Sequence, residues 1–304
     1  MLSSWIVRVP CSTSNLGPGF DCLGLALGLW LGVRATAITG SRNELVRSGE
    51  GLADLPGLER DLLVMAFERA RASHAFDGCF RFEVSSEIPI GRGLGSSGAA
   101  IVAGALLARA IAGASVSDEA LLAACVELEG HPDNVAAALR GGLTLCARTA
   151  PGRWSVLAPE LSPAIGFALA WPRNPLETPR ARAALPASVP FHDASENPRR
   201  LAFLLEGLRR GDPELLGFGG EERLHVRYRL PLLPGAERAL AAGRAAGAWL
   251  TTLSGAGSGL VALGPHDAME AVAEAMAGEL ESSTGLGIGR VLHPVFGEPV
   301  VLKQ

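Results

Sequence analysis

From Ile88 to Ala99 the chain reads IPIGRGLGSSGA, which places Gly91, Gly93 and Gly95 beside Ser96 and Ser97. Phe80, Phe82 and Val84 alternate with Arg81 and Glu83 just before it, and this period of two predicts a strand. Residues 99–112, rich in alanine and leucine, follow it and predict a helix. A glycine loop between strand and helix lets backbone N–H groups approach a ligand closely, at the end of a helix that carries partial positive charge. That combination is an anion site, usually for phosphate, and the serine hydroxyls add donors, one within reach of a metal ion. A plain turn with a serine N-cap is the alternative. No GK[ST] follows, so this is not a Walker A loop, and the spacing does not match the GxGxxG dinucleotide fingerprint.

The rest of the chain supplies enough apolar residues for a large core: of 304 residues, 48% are hydrophobic and 19% charged. This length predicts two domains. A polar, proline-bearing stretch at 150–159 divides them, giving 1–155 and 156–304. Strands are expected at 5–10, 23–38 and 141–147, with helices over 61–76 and 118–129, the latter capped by Ser117 and stopped by Gly130. The second half opens with a strand at 166–171 and helices near 178–185 and 197–210, with 183–195 as a mobile loop between them. It then alternates helix 235–247, strand 248–253, strand 259–263, helix 265–280 and a strand near 290, an α+β pattern. The net charge of −4 gives no support for nucleic-acid binding. Cys11, Cys22, Cys79, Cys125 and Cys146 are odd in number and lack CxxC spacing, so they are expected to be small core residues. The opening MLSSWIVRVP has no secretory pattern, and the longest apolar run, Leu23–Val33, is too short to span a bilayer. A soluble, cytoplasmic protein without membrane or nucleic-acid partners is expected.

Three further stretches carry chemistry. VPCSTSNLGPGFDCLG, 9–24, sets Asn15 and Asp21 on either side of a tight turn, where amide and carboxylate can converge on one polar ligand, the carboxylate suiting an ammonium. A solvent-facing turn is the plainer reading. ELEGHPDN, 127–134, has Glu127 near a helix end with Ala123 and Ala124 one turn earlier, which leaves room for a hydrated magnesium ion. His131, Asp133 and Asn134 follow within four residues. LSGAGSGLVALG, 253–264, is a glycine turn between strands that could add a second backbone surface near the phosphates.

Taken in order, VRVPCSTSNLGPGFDCLGLAL, IPIGRGLGSSGAA, EGHPDNVAAALRGG and LSGAG resemble the homoserine kinase family of the GHMP kinase superfamily, over about residues 7 to 265. The resemblance implies an α+β, two-domain GHMP fold: an N-terminal ATP-loop domain of the ribosomal protein S5 domain 2 type and a ferredoxin-like C-terminal domain. It implies phosphorylation of the L-homoserine hydroxyl by ATP with Mg²⁺, giving O-phosphohomoserine for threonine synthesis, in a homodimer. By the same resemblance the ATP site takes Pro89, Ile90, Gly91, Arg92, Gly93, Leu94, Gly95, Ser96, Ser97, Gly98 and Asp61, and the metal takes Ser97 and Glu127. Asn15, Asp21, His131, Asn134, Thr178, Arg182 and Arg229 match the substrate positions, with Asp21 on the ammonium and the arginines on the carboxylate. Asn134, His131 and Arg182 are the residues nearest the chemistry, Asn134 orienting the hydroxyl without a strong base; Asp133 as a base stays open. A GHMP kinase for another small alcohol, and a non-catalytic sensor on the same fold, are the rival readings. An NAD-binding protein is a more distant one.

The sequence departs from the family at several points. Asp61 stands where an asparagine usually helps bind adenine, so nucleotide affinity is expected to differ. Ser258 and Gly259 follow SGAG in place of a proline and a hydroxyl residue, and Gly98 replaces an alanine, which is expected to weaken the helix start.

Overall fold

The computed structural model describes residues 3–49, 52, 55–74, 76–113 and 116–304. The first sheet is built on a long hairpin, β1 (Ser4–Asn15) and β2 (Gly19–Ile38). The turn between them takes Asn15, Leu16 and Gly17 to positive φ, and Asp21, near the start of β2, has positive φ as well. Val7, Val9, Leu23, Leu25, Leu27 and Val33 are buried at 1% exposure or less, as alternate positions of strands facing a core must be. β3 (Glu44–Ser48) pairs in parallel with β4 (Cys79–Ser86), and β4 pairs with β2. α1 (Leu62–His74) buries Phe67 edge-on against Phe76, Phe80 and Phe82 at 5.8, 5.4 and 4.9 Å between ring centroids. Truncating such a ring to alanine costs about 3–5 kcal/mol. α2 (Ser96–Ala112), α3 (Asp118–Glu129) and α4 (Asp133–Arg140) follow. β5 (Leu143–Ala150) then pairs with β2 and with β6 (Arg153–Leu157).

The second sheet has the order β10-β7-β9-β8, all antiparallel. Its strands are β7 (Ile165–Pro172), β8 (Leu250–Leu253), β9 (Leu260–Pro265) and β10 (Gly287–Leu292). Numbered along this half the order is 4-1-3-2, the ferredoxin-like arrangement. Between β7 and β8 run α5 (Thr178–Ala183), α6 (Phe191–Arg210), α7 (Pro213–Gly219), α8 (Val226–Arg229) and α9 (Ala236–Ala245), and α10 (Met269–Thr284) packs on the sheet before β10. The tail then returns: Gly28 N donates to His293 O, Gly142 N to Val295 O, and β11 (Leu302–Lys303) pairs with β1.

Several expectations change. The cut between 155 and 156 falls inside β6, whose hydrogen bonds to β5 belong to the first sheet. Division by sheets moves it to the 158–164 connection and gives the tail from 293 back to the first half. The stretch 183–195 is only partly loop, because α6 starts at Phe191 with Pro190 as its N-cap. α2 begins at Ser96, three residues before the expected start, since Gly95 in the left-handed region caps it in place of a serine side chain. Of the helix expected over 61–76, α1 accounts for 62–74, and residue 75 lies outside the described residues. All five cysteines are free, but Cys22 and Cys79 are half-buried. Among the described residues no helix is long and apolar enough to cross a membrane.

Candidate active site

A cavity of about 1000 Å³ lies between the two halves. One end is the loop before α2. Its carbonyls are tied to the surrounding wall: Gly91 O accepts from Leu176 N, Arg92 O from Gly259 N, Gly93 O from the Ser254 hydroxyl, and Leu94 O from Ser12 N. Each peptide unit is planar and trans, so a carbonyl held outward turns the next residue's N–H the other way, into the cavity. Gly91, Gly93 and Gly95 all have positive φ. A Cβ on Gly93 would stand 2.0 Å from Ser254 O, and one on Gly95 2.1 Å from Ser12 Oγ. Here the glycines serve both the turn and the close approach. Behind this loop, α2 presents a first turn that no N-cap side chain covers.

Ser97, on that first turn, donates to Glu129, the last residue of α3. Burial raises the Glu129 pKa, partly offset by the Ser97 bond and by His131. His131 stands between two acids, Nδ1 at 2.9 Å from Asp133 and Nε2 at 3.7 Å from Glu129. Burial disfavours the imidazolium, but the Asp133 bond and charge outweigh it and hold the His131 pKa above its ordinary value. Burial likewise opposes the Asp133 carboxylate, yet His131 and the Asn134 N–H more than compensate and lower its pKa. Asp133 is therefore an ionised, occupied group and a poor base. The Asn134 amide is fixed from both sides, accepting from Ser12 Oγ at 3.0 Å and donating to Ser14 Oγ at 3.1 Å.

The far end of the cavity is charged. Arg182 on α5 forks onto Asp21 at 3.0 and 2.6 Å, with both side chains about a third exposed. Arg229, at the end of α8, is 1% exposed. Among the described residues its Nη1 meets two acceptors, His225 Nδ1 and Gly255 O, each at 3.2 Å. Its Nε has no hydrogen-bond partner among the described residues. Burial, with Arg182 nearby, lowers the Arg229 pKa. Asn15 binds the two halves together, donating to Gly255 O at 2.9 Å while its carbonyl accepts from Asp21 N. Thr178, at the first position of α5, lines the same wall.

The model of the GHMP kinases N terminal domain matches residues 61–142, and that of the GHMP kinases C terminal matches 204–282. Proteins named homoserine kinase from Synechococcus sp. (strain CC9605) and Prochlorococcus marinus (strain MIT 9303) are 40% and 41% identical over 274 residues, 89% of this chain and 87% of theirs. The chain belongs to the homoserine kinase family of GHMP kinases. A crystal structure of homoserine kinase from Cytophaga hutchinsonii superposes with a TM-score of 0.88 at 25% identity, covering 98% of this chain and 97% of that one.

For this GHMP kinase, the structure gathers Asn15, Asp21, His131, Asn134, Thr178, Arg182 and Arg229 around one cavity, with Ile90, Gly91, Gly93, Leu94, Gly95, Ser96, Ser97 and Asp61 lining it too. Pro89, Arg92 and Gly98 do not line it. Arg92 staples the loop to the end of β7, reaching Pro172 O, Ile90 O and Arg173 O. Gly98 instead lets α2 lie close to α4, since a Cβ there would come within 3.3 Å of Asn134 Cβ. Glu127 is corrected: its side chain is 57% exposed and pairs with Arg69, while Glu129, two residues on, turns inward to Ser97. Successive helical residues stand about 100° apart, so two positions reverse the face. Asp61 also changes meaning. Its Oδ1 caps α1, accepting from Leu63 N and Val64 N, and its Oδ2 pairs with Arg47, so its carboxylate is engaged before any nucleotide arrives.

Among the described residues no cluster of three His, Cys, Asp or Glu has metal-binding geometry. A magnesium ion that keeps its waters and shares phosphate oxygens needs only one or two protein oxygens. The Ser97 hydroxyl and the Glu129 carboxylate, hydrogen-bonded at the N-terminus of α2, fit that demand.

Proposed function

We propose that this chain transfers the γ-phosphoryl group of ATP to the side-chain hydroxyl of L-homoserine, yielding ADP and O-phosphohomoserine. The observation that carries the substrate is Arg229, a buried guanidinium at the cavity wall that meets no carboxylate among the described residues. A buried charge left unpaired is costly, so this end of the cavity favours a ligand carboxylate. Asp21 supplies the matching anion for an ammonium. Its pair with Arg182 is partly solvated and cheap to open, since exposed pairs contribute at most about 1 kcal/mol. A zwitterion exchanges that one pair for contacts at both of its charged ends.

The loop N–H groups and the α2 terminus hold the nucleotide phosphates. Ser97 and Glu129 would hold Mg²⁺, which when bound neutralises charge on the phosphate oxygens. Asn134, locked by Ser12 and Ser14, orients the hydroxyl. The hydroxyl oxygen bonds to the γ-phosphorus as the bond to the β–γ bridging oxygen breaks. The hydroxyl proton leaves to a phosphoryl oxygen, because Asp133 is held ionised and occupied. A loose transition state asks for position and charge neutralisation more than for a base. The same reading carries a cytoplasmic homodimer.

The test is ADP release from Mg-ATP with L-homoserine, beside D-homoserine, L-serine, mevalonate and galactose. Release with L-homoserine alone is expected. Release with another alcohol instead overturns the substrate, and silence with every alcohol despite ATP binding favours a sensor.

A further inference from the structure

Behind the arginines stand two residues that do not line the cavity, Phe20 and His225. His225 is fully buried at the start of α8. Its Nε2 lies 2.9 Å from Gly17 O. A carbonyl only accepts, so Nε2 carries the hydrogen and Nδ1 is left with a lone pair. That lone pair accepts from Arg229 Nη1 at 3.2 Å. The Glu222 carboxylate fixes the histidine's backbone, accepting from the N–H groups of Leu224, His225 and Val226. The Phe20 ring is 5.0 Å from the imidazole, with Arg182 Cζ at 5.6 Å and Arg229 Cζ at 5.3 Å from its centroid. One aromatic ring thus lies within cation–π distance of both cations. Contact between the halves is close here, since a Cβ on Gly17 would stand 2.6 Å from Gly220 O.

We propose that His225 is a positioning residue which aims Arg229 at the substrate carboxylate and ties that aim to the Asn15–Asp21 turn through Gly17. The carboxylate end of the pocket is then built only when the turn of the first half docks on α8 of the second. The ammonium and carboxylate subsites are set by one hydrogen-bonded chain, Gly17 O to His225 to Arg229. Burial, with the Arg229 charge adding to it against Glu222, lowers the His225 pKa and keeps the ring in the neutral form this chain needs. The inference rests on the homoserine reading, so wild-type turnover of homoserine is established first. Its absence refutes that reading and leaves the geometry of His225 to be tested by spectroscopy.

Two variants separate the two bonds. His225→Gln keeps a donor for Gly17 and removes the acceptor for Arg229, while His225→Asn keeps an acceptor near the Nδ1 position. His225→Gln should raise the homoserine KM about tenfold with kcat and the ATP KM within about twofold of wild type, the size of one lost bond to a charged group. The preference for L-homoserine over 3-aminopropan-1-ol, which lacks the carboxylate, should shrink by the same factor, and His225→Asn should recover most of it. An unchanged homoserine KM, or kcat and both KM values changing together in both variants, overturns the proposal. Should His225→Gln not fold, nitrogen-15 spectra of wild-type His225 decide. A neutral Nε2–H ring whose Nδ1 signal moves on adding L-homoserine supports the proposal, and a protonated ring or an unmoved Nδ1 refutes it.

Discussion

The two ends of the cavity are made of different material. The end proposed for phosphate is largely main chain: the carbonyls of Gly91, Arg92, Gly93 and Leu94 are bonded to the wall, which turns the N–H groups that follow them the other way. The end proposed for the amino acid is side chain, and its parts come from Asn15, Asp21, Asn134, Arg182 and Arg229 across both halves. Backbone recognition tolerates little change of shape, and here that shape is held by bonds from Ser12, Leu176, Ser254 and Gly259. Side-chain recognition depends on how well the two halves meet. The two ends should therefore fail differently, and each substitution below tests that contrast.

The largest effect is expected at Gly93. Gly93→Ala puts a Cβ against Ser254 O at a residue with φ +65°, which should cost at least about 3 kcal/mol in a urea melt and abolish ATP binding. A stable variant that binds ATP would mean that the loop is not held as tightly as its carbonyl anchors imply. Next come the two glutamates. Glu129→Gln should lower kcat about 100-fold, and Glu127→Gln should leave it near wild type, because only Glu129 faces Ser97. The reverse order would return the metal to Glu127.

A smaller change is expected at Asp61. Asp61→Ala removes the cap of α1 and should cost about 1 kcal/mol of stability, while Asp61→Asn keeps an acceptor for the cap and loses less. A steep rise in ATP KM with no loss of stability would instead mark Asp61 as a nucleotide contact. The smallest effect concerns pH. The folded pKa of His131 stands above its unfolded value, so its contribution to stability is fully present below about 6.5 and is lost as pH rises through the folded value. Denaturant midpoints of wild type and His131→Gln should thus differ more near about pH 6 than near about pH 9. A gap that does not change with pH would mean that Asp133 does not hold the imidazolium.

The glycine loop before α2 was legible because its logic is local: glycine spacing and position before a helix are written in one stretch. That Asp21, Arg182 and Arg229 share one cavity could be read only through the family resemblance, since no local pattern joins Asp21 to Arg229. Glu129 was missed for a physical reason, as ELEG offers two acids and only the rotation of α3, ended by Gly130 in the left-handed region, decides which faces inward. β3 and β6 escaped notice because they are five-residue edge strands whose ELVRS and RWSVL patterns bury little. α4 was missed because DNVAAALR is eight residues long and follows a proline. His225 carried no signal of its own, for a buried histidine in sequence looks like any other, and only its two bonds give it a part.

The contrast is tested most directly by calorimetric titration of Arg229→Met with L-homoserine and, separately, with a non-hydrolysable ATP analogue. Loss of homoserine binding with nucleotide binding intact is the expected result. If both are lost together the two ends form one cooperative site, and if homoserine still binds tightly its carboxylate is held elsewhere; either result contradicts a cavity whose phosphate end is backbone and whose amino-acid end is side chain.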